Sequence, residues 1–476
     1  MLFNSIHFII FFPAVIIIYF LLPVRFRRYF LLAASCYFYM SFIPKYIIIL
    51  AFTTCIDYSG ARLIEHYENR TNIKKAVFII SLCLNIGLLV FFKYLGMLGD
   101  IINIFGHAVR LGTVVVPEIV LPIGISFHTF QSMGYLIDVY MKRQKAVPSF
   151  IDFSLFLMYF PQLVAGPIER GPNLLAQLQK EHYLIPGNIT IGGRLMLWGM
   201  FKKVVVADNL SLIADLVFKN VHSFGGIWLI VGVLCFTVQI YCDFSGYSDI
   251  AIGCAKVMDI DLMTNFDTPY FSGSVSEFWR RWHISLSTWF RDYIYIPLGG
   301  NRVSKPRWCF NQLVTFGISG IWHGANLTYA AWGLLNGLYI IAARLLKPVR
   351  EFFKKLTHID RLELLSSWLS IILTFSLISF SWIFFRAESF SDAFYVVKNI
   401  FGNTLGNFDL IPELRIYICR IVPFVLFGIE LCIKSSRAKE LFYHSQLLRM
   451  TSYIMCLVSI VLFGAYDNNA FIYFQF

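Results

Sequence analysis

Charged side chains are scarce in this sequence of 476 residues. They make up 14% of it, whereas 58% of the residues are hydrophobic and 17% are aromatic, and the mean hydropathy is +0.66. A soluble globular domain has about 25% charged and roughly 45–50% apolar residues. A chain with so little charge cannot cover its apolar surface in water. The composition therefore excludes an ordinary soluble protein and predicts a multi-pass protein of the lipid bilayer.

Several motifs of catalytic and metal sites are also missing. The ten cysteines include no C-x-x-C pair, and no H-E-x-x-H helix occurs, so we expect no bound metal and no disulfide framework. There is no G-x-S-x-G nucleophile motif, no G-x-x-x-x-G-K-[ST] phosphate loop and no H-x-x-x-x-D pattern. The sequence therefore does not indicate a serine hydrolase, a phosphate-loop enzyme or a soluble acyltransferase.

The net charge of +12 does not indicate a nucleic-acid partner, because the basic residues lie in short clusters between apolar runs. This placement is typical of cytoplasmic loops under the positive-inside rule. Eight apolar runs predict membrane helices, and alternating them across the bilayer brings the basic loops to one side and the acidic loop 387–414 to the other. The predicted spans are 6–23, 29–43, 46–60, 76–95, 120–140, 364–385, 416–433 and 450–465. The predicted cytoplasmic loops are 24–28, 61–75, 141–149, 344–361 and 434–449.

The middle of the chain, 150–343, is less regular than its two ends. Its apolar runs are interrupted by polar residues and by glycine and proline, which is tolerated at membrane depth where the backbone is buried in protein or lines a wet cavity. An even number of crossings here, two or four, gives ten or twelve in total. We predict an all-α helical bundle, one membrane domain over 1–476, with its functional core at about 120–345.

Residues 274–296, SVSEFWRRWHISLSTWFRDYIYI, are predicted to form one amphipathic helix at the membrane interface. Ser274 followed by Glu277 indicates a capping box at its start. His283 would lie at the edge between the aromatic and the polar faces. A single interfacial histidine is more often structural than catalytic, so both interpretations stay open.

The segment 309–345 contains GISGIWHGANLTYAAWGLLNG and is too long for one membrane helix, since it would extend about 55 Å. We expect it to break or double back around Gly317, Gly320 and Gly324. His323 lies at this break, with Asn326 nearby. An ionisable residue in an apolar span is a candidate for function. The alternative is a neutral histidine satisfied by Asn326 or by a backbone carbonyl.

A buried neutral imidazole suits acyl transfer from a thioester to an alcohol. Its reference pKa of about 6.5 allows it to take a proton from a hydroxyl near neutral pH. Arginine, tryptophan and asparagine donors could stabilise the oxyanion that forms.

Six runs resemble the membrane-bound O-acyltransferase family, in particular its bacterial branch of alginate and peptidoglycan O-acetylation proteins. The most specific are FWRRWHISLSTWFRDYIYIPLGGNR and GIWHGANLTYAAWG. The others are LPIGISFHTFQSMGYLIDVY, FPQLVAGPIER, QIYCDFSGYSDIAIG and the terminal FIYFQF. His128 departs from the tyrosine that relatives often carry.

The resemblance implies a ring of tilted helices around a tunnel through a bacterial cytoplasmic (inner) membrane. It implies that His323 is the catalytic base, or accepts the acyl group transiently, and that His283 is the second family histidine. We expect Trp322, Asn326, Asp243, Tyr241, Arg280 and Arg281 to bind substrate or line the tunnel. The implied co-substrate is acetyl-CoA or another acyl thioester, with no bound cofactor.

The implied acceptor is a hydroxyl of an exported polysaccharide, such as an alginate-like polymer, cellulose or peptidoglycan. An extracytoplasmic acetyltransferase of the SGNH type is the expected partner protein. Three alternatives stay open: D-alanylation of teichoic acid from an acyl carrier protein, a polysaccharide transporter or flippase, and a non-catalytic scaffold of a secretion complex. A transporter often carries paired repeats, and this sequence shows none.

Overall fold

The computed structural model describes residues 1–108, 117, 121–164, 166–358, 362–402 and 413–465, and in these residues all regular structure is helical. The predicted all-α class is thus confirmed. In chain order the helices are α1 (Ile6–Leu21), α2 (Val24–Met40), α3 (Ile47–His66), α4 (Thr71–Ala108), α5 (Ile125–Tyr140), α6 (Phe150–Met158), α7 (Phe160–Leu163), α8 (Gly171–Leu178), α9 (Pro186–Met200), α10 (Asp208–Lys219), α11 (Gly226–Val257), α12 (Val275–Arg281), α13 (Ile284–Phe290), α14 (Lys305–His323), α15 (Leu327–Leu345), α16 (Lys347–Leu356), α17 (Glu363–Arg386), α18 (Phe390–Asn399), α19 (Glu413–Lys434), α20 (Ser436–His444) and α21 (Gln446–Phe463).

Each of the eight predicted spans coincides with a helix, although the boundaries differ by several residues. Within the described residues, five helical stretches are long and apolar enough to cross a bilayer. They are Pro44–His66, Thr71–Asn103, Gly226–Val257, Glu363–Arg386 and Gln446–Phe463. The total of ten or twelve crossings stays a prediction. Part of the acidic loop 387–414 and the terminal FIYFQF run lie outside the described residues.

The chain divides into two compact units. That these belong to one membrane domain over 1–476 stays a prediction. Unit A comprises 1–196 and 248–263, and unit B comprises 197–247 and 264–475.

A buried carboxylate joins three helices of unit A. Asp57 of α3 accepts hydrogen bonds from Asn85 of α4, at 2.6 Å, and from Ser132 of α5. One turn away, Thr53 and His128 form a second contact between α3 and α5, with the threonine hydroxyl 2.8 Å from Nε2. Hydrocarbon cannot satisfy polar groups, so pairing between helices is the physical condition for their presence here.

In unit B, α14 and α15 form a tightly packed helical hairpin. Helix α14 ends at His323, Gly324 takes an extended conformation, and Asn326 caps the start of α15 by accepting from the Thr328 backbone N–H. The predicted break is thus confirmed at Gly324, while Gly317 and Gly320 stay helical. A β-carbon on Gly320 would collide with the carbonyl oxygen of Tyr329. The hairpin therefore depends on glycine where its backbones approach.

A buried ionic cluster lies where α9 continues into α10 through the π-helical turn Phe201–Ala207. Lys203 places its ammonium 2.8 Å from a carboxylate oxygen of Asp208 and 2.7 Å from one of Asp243 on α11. All three residues are at most 3% exposed. Gly246 permits the close approach, because its β-carbon would lie 2.8 Å from the Gly199 carbonyl oxygen. π-helical turns often occur at functional positions, and this one presents a lysine to two carboxylates.

We predict that Gly320→Ala destabilises the protein by about 1–3 kcal/mol, because the new methyl group meets backbone that cannot yield. The matched control is Gly317→Ala on the same helix, whose methyl would make ordinary contact with Leu334 at 3.4 Å. That control should be neutral or gain up to about 1 kcal/mol of helix propensity. The measurement is the apparent unfolding temperature of the detergent-purified variants. Equal shifts for the two would contradict the close-packed hairpin.

We predict that Asp243→Asn lowers the stability by about 3–5 kcal/mol, because it removes one partner of a buried ion pair and leaves Lys203 undercompensated. The control is Asp261→Asn. The Asp261 carboxylate lies 2.7 Å from the Lys256 ammonium, but its side chain is 70% exposed, so the substitution removes a surface ion pair. Exposed pairs contribute about 0–1 kcal/mol. Thermal inactivation half-lives of the two variants provide the comparison, and similar half-lives would argue against a stabilising cluster.

Candidate functional site

The segment 274–296 is not one helix, so that prediction was wrong. Its start is as predicted, because the Ser274 hydroxyl accepts from the Glu277 backbone N–H and the Glu277 carboxylate accepts from Gly273 N–H. Helix α12 then ends at Arg281, α13 begins at Ile284, and the π-helical turn Arg291–Tyr295 follows. The chain changes direction between the two helices, at His283.

His283 adopts a left-handed backbone conformation, with a φ of +43°. Residues other than glycine rarely take this conformation, and those that do so are concentrated at functional positions. Its side chain is 1% exposed, so it does not lie at the edge of an interfacial helix as predicted. The uniform helical pattern of apolar residues across 274–296 concealed this break.

Asn265 determines the protonation pattern of the His283 ring. Its side-chain oxygen accepts hydrogen bonds from the Ser285 backbone N–H at 3.3 Å and from the Ser285 hydroxyl at 2.9 Å. Because a backbone N–H can only donate, the atom facing it must be the oxygen of the amide rather than its nitrogen. The same oxygen lies 3.2 Å from Nδ1 of His283. Nδ1 therefore carries the proton, and Nε2 is the nitrogen with the lone pair.

Burial also keeps this imidazole uncharged. It lowers the pKa of His283 to about 3, since a charged ring loses its hydration among apolar neighbours. The Phe244 ring meets the imidazole edge-on at 4.5 Å, and the Phe266 ring stacks at 6.4 Å. His283 is thus a neutral ring with one defined tautomer throughout the physiological pH range.

His323, the last residue of α14, is enclosed by aromatic side chains and is 5% exposed. The Trp322, Trp332 and Phe385 rings lie 4.8, 5.0 and 5.3 Å from its own, all at steep angles. These contacts fix the orientation of the imidazole and exclude bulk water from it. An imidazole in such an environment can exchange a proton with a bound substrate rather than with solvent.

A continuous series of aromatic rings joins the two histidines within unit B, and we call it the aromatic wall. From His323 it passes through Trp332, then Trp382, then Trp282, the residue before His283. Trp332 and Trp382 stack at 5.4 Å, and Trp382 and Trp282 lie 5.2 Å apart. Phe266 continues from Trp282, at 5.1 Å, to His283. The two predicted catalytic residues thus occupy the ends of one rigid apolar surface.

The structure places the other predicted site residues in several different settings. Trp322 is buried against His323. The side-chain oxygen of Asn326 accepts from the Thr328 backbone N–H and caps α15. Its side-chain nitrogen donates to the Glu388 carbonyl at 2.9 Å, so both ends of the amide form hydrogen bonds with backbone groups. Arg281 pairs with Glu277 at 2.7 Å, and Arg280 is exposed.

Asp243 belongs to the Lys203 cluster, and Tyr241 donates a hydrogen bond to Glu430 of α19. The neighbouring Lys202 donates to the Ser245 hydroxyl at 2.9 Å. These contacts hold helices together in unit B. The predicted substrate-binding roles of Asp243 and Tyr241 stay predictions.

The sequence did not single out four further residues near the site: Asn265, Trp332, Trp382 and Glu430. They are far from both histidines in sequence or lack a distinctive motif. Only Trp332 had a signal, since it lies in the same run, GIWHGANLTYAAWG, as His323.

No group of three or more histidine, cysteine, aspartate or glutamate side chains able to hold a metal ion occurs among the described residues.

The chain matches the family model of MBOAT, the membrane-bound O-acyltransferase family, over residues 111–385. A protein named probable alginate O-acetylase AlgI from Pseudomonas aeruginosa is 37% identical over 84% of this chain and 74% of its own length. The peptidoglycan O-acetyltransferase of Helicobacter pylori is 32% identical over 98% of this chain and 91% of its own. The teichoic acid D-alanyltransferase of Bacillus subtilis is 26% identical over 56% of this chain and 69% of its own.

The matched region includes both histidines, the aromatic wall and the α14–α15 hairpin. The predicted resemblance is confirmed, and with it the membrane character of the chain and its enzyme class. This chain belongs to the membrane-bound O-acyltransferase family and is a multi-pass membrane O-acyltransferase.

Proposed function

We propose that this enzyme transfers an acetyl group from a cytoplasmic acyl thioester, acetyl-CoA or a related donor, to a hydroxyl group of an exported cell-surface polysaccharide. One observation carries the proposal: two buried histidines stand at the ends of one aromatic wall, in the part of the chain that matches the family. The acceptor class is supported by the names of the relatives, an alginate O-acetylase and a peptidoglycan O-acetyltransferase. The location that fits is the cytoplasmic membrane of a bacterium, with a tunnel connecting donor and acceptor.

His323 acts as the general base in this proposal. Its imidazole takes the proton of the acceptor hydroxyl while the oxygen attacks the thioester carbonyl carbon. When the tetrahedral intermediate collapses, the carbon–sulfur bond breaks and the imidazolium returns the proton to the departing thiolate. The products are the ester and the free thiol, and no net proton is released. The apolar surroundings of His323 favour this exchange, since water would otherwise compete as nucleophile.

His283 acts as a positioning residue at the other end of the wall. Its Nδ1–H is engaged by Asn265, so Nε2 is suited to accept a hydrogen bond from an N–H or O–H group of the substrate. The uncharged ring suits a neutral part of either substrate, such as a sugar hydroxyl or an amide of the donor arm. Its rigid setting supplies the orientation that acyl transfer requires.

The partner protein in this proposal is an extracytoplasmic acetyltransferase of the SGNH type, which acts on the same polymer. D-alanylation of teichoic acid from a carrier protein is the second candidate. It is favoured by the match to teichoic acid D-alanyltransferases, which covers a smaller part of this chain at lower identity.

We predict that His323→Ala reduces polymer acetylation at least about 100-fold, because general acid–base catalysis typically contributes a factor of 10²–10⁴. The assay complements a deletion strain and measures, by mass spectrometry, the ester released from the polymer. His66→Ala replaces an exposed histidine and is the matched control.

Unchanged acetylation in His323→Ala, at normal protein level, would overturn the assignment and favour a scaffold. A D-alanyl rather than acetyl ester would favour the second candidate. Solute flux without any ester would indicate a transporter.

We predict that Asn265→Asp changes the pH profile of acetyl transfer. The new carboxylate keeps the acceptor for Nδ1–H but favours the imidazolium, so it raises the pKa of His283. As the pH falls through this raised pKa, Nε2 gains a proton and can no longer accept a hydrogen bond. The variant should therefore lose activity at acidic pH where the unmodified enzyme does not.

Asn265→Ala is the companion variant, because it removes the acceptor without adding charge. We expect a lower kcat at every pH and no additional acidic limb. If Asn265 supported only the fold, both variants would lose the same fraction of acetyl-transfer activity at every pH. That result would show that the positioning role of His283 is wrong.

A further inference from the structure

Helix α16 has two chemically opposed faces along its ten residues. Val349, Phe352 and Leu356 follow one another at intervals of three and four, which places them on one side of a helix. Lys347, Arg350 and Lys355 lie on the opposite side. The sequence of the helix, KPVREFFKKL, carries four basic residues and one acidic residue.

The apolar side of this helix is largely exposed. Val349 is 50%, Phe352 63% and Leu356 64% exposed. The preceding Leu345 and Leu346 are exposed by 54% and 57%. A helix of this length extends about 15 Å, roughly half of the hydrocarbon thickness, so α16 cannot bury these side chains by crossing the bilayer.

The position of α16 in the chain brings it close to a membrane helix. It follows α15 directly, and it precedes α17, which is one of the five stretches able to cross a bilayer. A segment next to a membrane helix lies within reach of the interface. The same basic residues fall in the loop 344–361, which the charge distribution predicts to be cytoplasmic.

We infer that α16 lies in the plane of the membrane surface, with Val349, Phe352 and Leu356 among the acyl chains and Lys347, Arg350 and Lys355 against the headgroups of anionic lipids. Amphipathic helices with a basic polar face bind membranes by this combination of apolar burial and charge attraction. The pairing of Lys347 with Glu351, at 3.6 Å and with both side chains more than half exposed, is weak and leaves the lysine accessible to a phosphate.

The basic side and the large apolar side chains of α16 together favour a lipid surface over other binding partners. A phosphate-bearing acyl donor would use only the basic side and would leave Phe352 and Leu356 exposed to water. A lipid surface satisfies both sides at once. This inference concerns a surface remote from the acyl-transfer chemistry and does not depend on the roles proposed for the histidines.

The first experiment inserts a photoreactive benzoylphenylalanine at position 352 of the full-length protein in vesicles of phosphatidylethanolamine and phosphatidylglycerol. Irradiation should yield lipid adducts, identified by mass spectrometry. The same probe at position 355, on the basic side, should give at least fivefold fewer acyl-chain adducts. Cross-links from position 352 to another part of the chain or to a protein, in place of lipid adducts, would overturn the inference.

The second experiment tests the anionic headgroups with a triple variant, Lys347→Gln, Arg350→Gln and Lys355→Gln. Each basic residue near an anionic surface changes binding by roughly fivefold, so phosphatidylglycerol co-purifying with the variant should fall at least fivefold relative to phosphatidylethanolamine. The control triple variant, Arg70→Gln, Lys74→Gln and Lys75→Gln, removes equal charge from another predicted cytoplasmic loop and should lose less than twofold. An equal loss in both variants, or displacement of lipid from position 352 by coenzyme A, would contradict the assignment.

Discussion

The structure depends on one constraint: lipid offers no hydrogen bonds, so each polar group at membrane depth must be satisfied by the protein itself. Helices satisfy their own backbones, and the described residues accordingly contain no strand. Buried polar side chains then need partners on other helices. Asp57 finds them on α4 and α5, and Lys203 finds one on α11. The same contacts that satisfy these groups fix which helices are neighbours in each unit.

The constraint also explains where chemically capable residues occur. Three of the departures from regular α-helix lie after His323, at His283 and in the turn containing Lys203. Each departure frees backbone groups or reorients side chains that a continuous helix would hold in a fixed helical array. Each also brings a titratable residue into a buried setting, and two of these residues are the histidines of the candidate site. Breaks of helical regularity are thus where this fold can hold a reactive group away from both lipid and water.

Local features of the sequence were sufficient to predict much of this architecture. Hydropathy indicates each apolar helix because the signal lies within the helix itself, and the excessive length of the segment 309–345 required the turn found at Gly324. The break at His283 could not be predicted, because it contains neither glycine nor proline and its apolar spacing imitates a continuous helix. No feature of the sequence indicated the pairing of Lys203 with Asp243 or of Tyr241 with Glu430, since these partners are distant along the chain and no local pattern encodes them.

The two histidines occur in the same region and on the same aromatic wall, yet different side chains surround them. Asn265 engages one nitrogen of His283, and burial keeps the ring uncharged, so this imidazole presents a fixed acceptor and does not readily carry a proton. His323 is held by ring contacts with Trp322, Trp332 and Phe385 at the end of a helix, next to the glycine that turns the chain. A hydrogen bond to Asn265 orients the His283 ring, and the aromatic rings around His323 limit the directions in which that imidazole can turn. These two settings support the proposed roles, a positioning residue at His283 and a general base at His323.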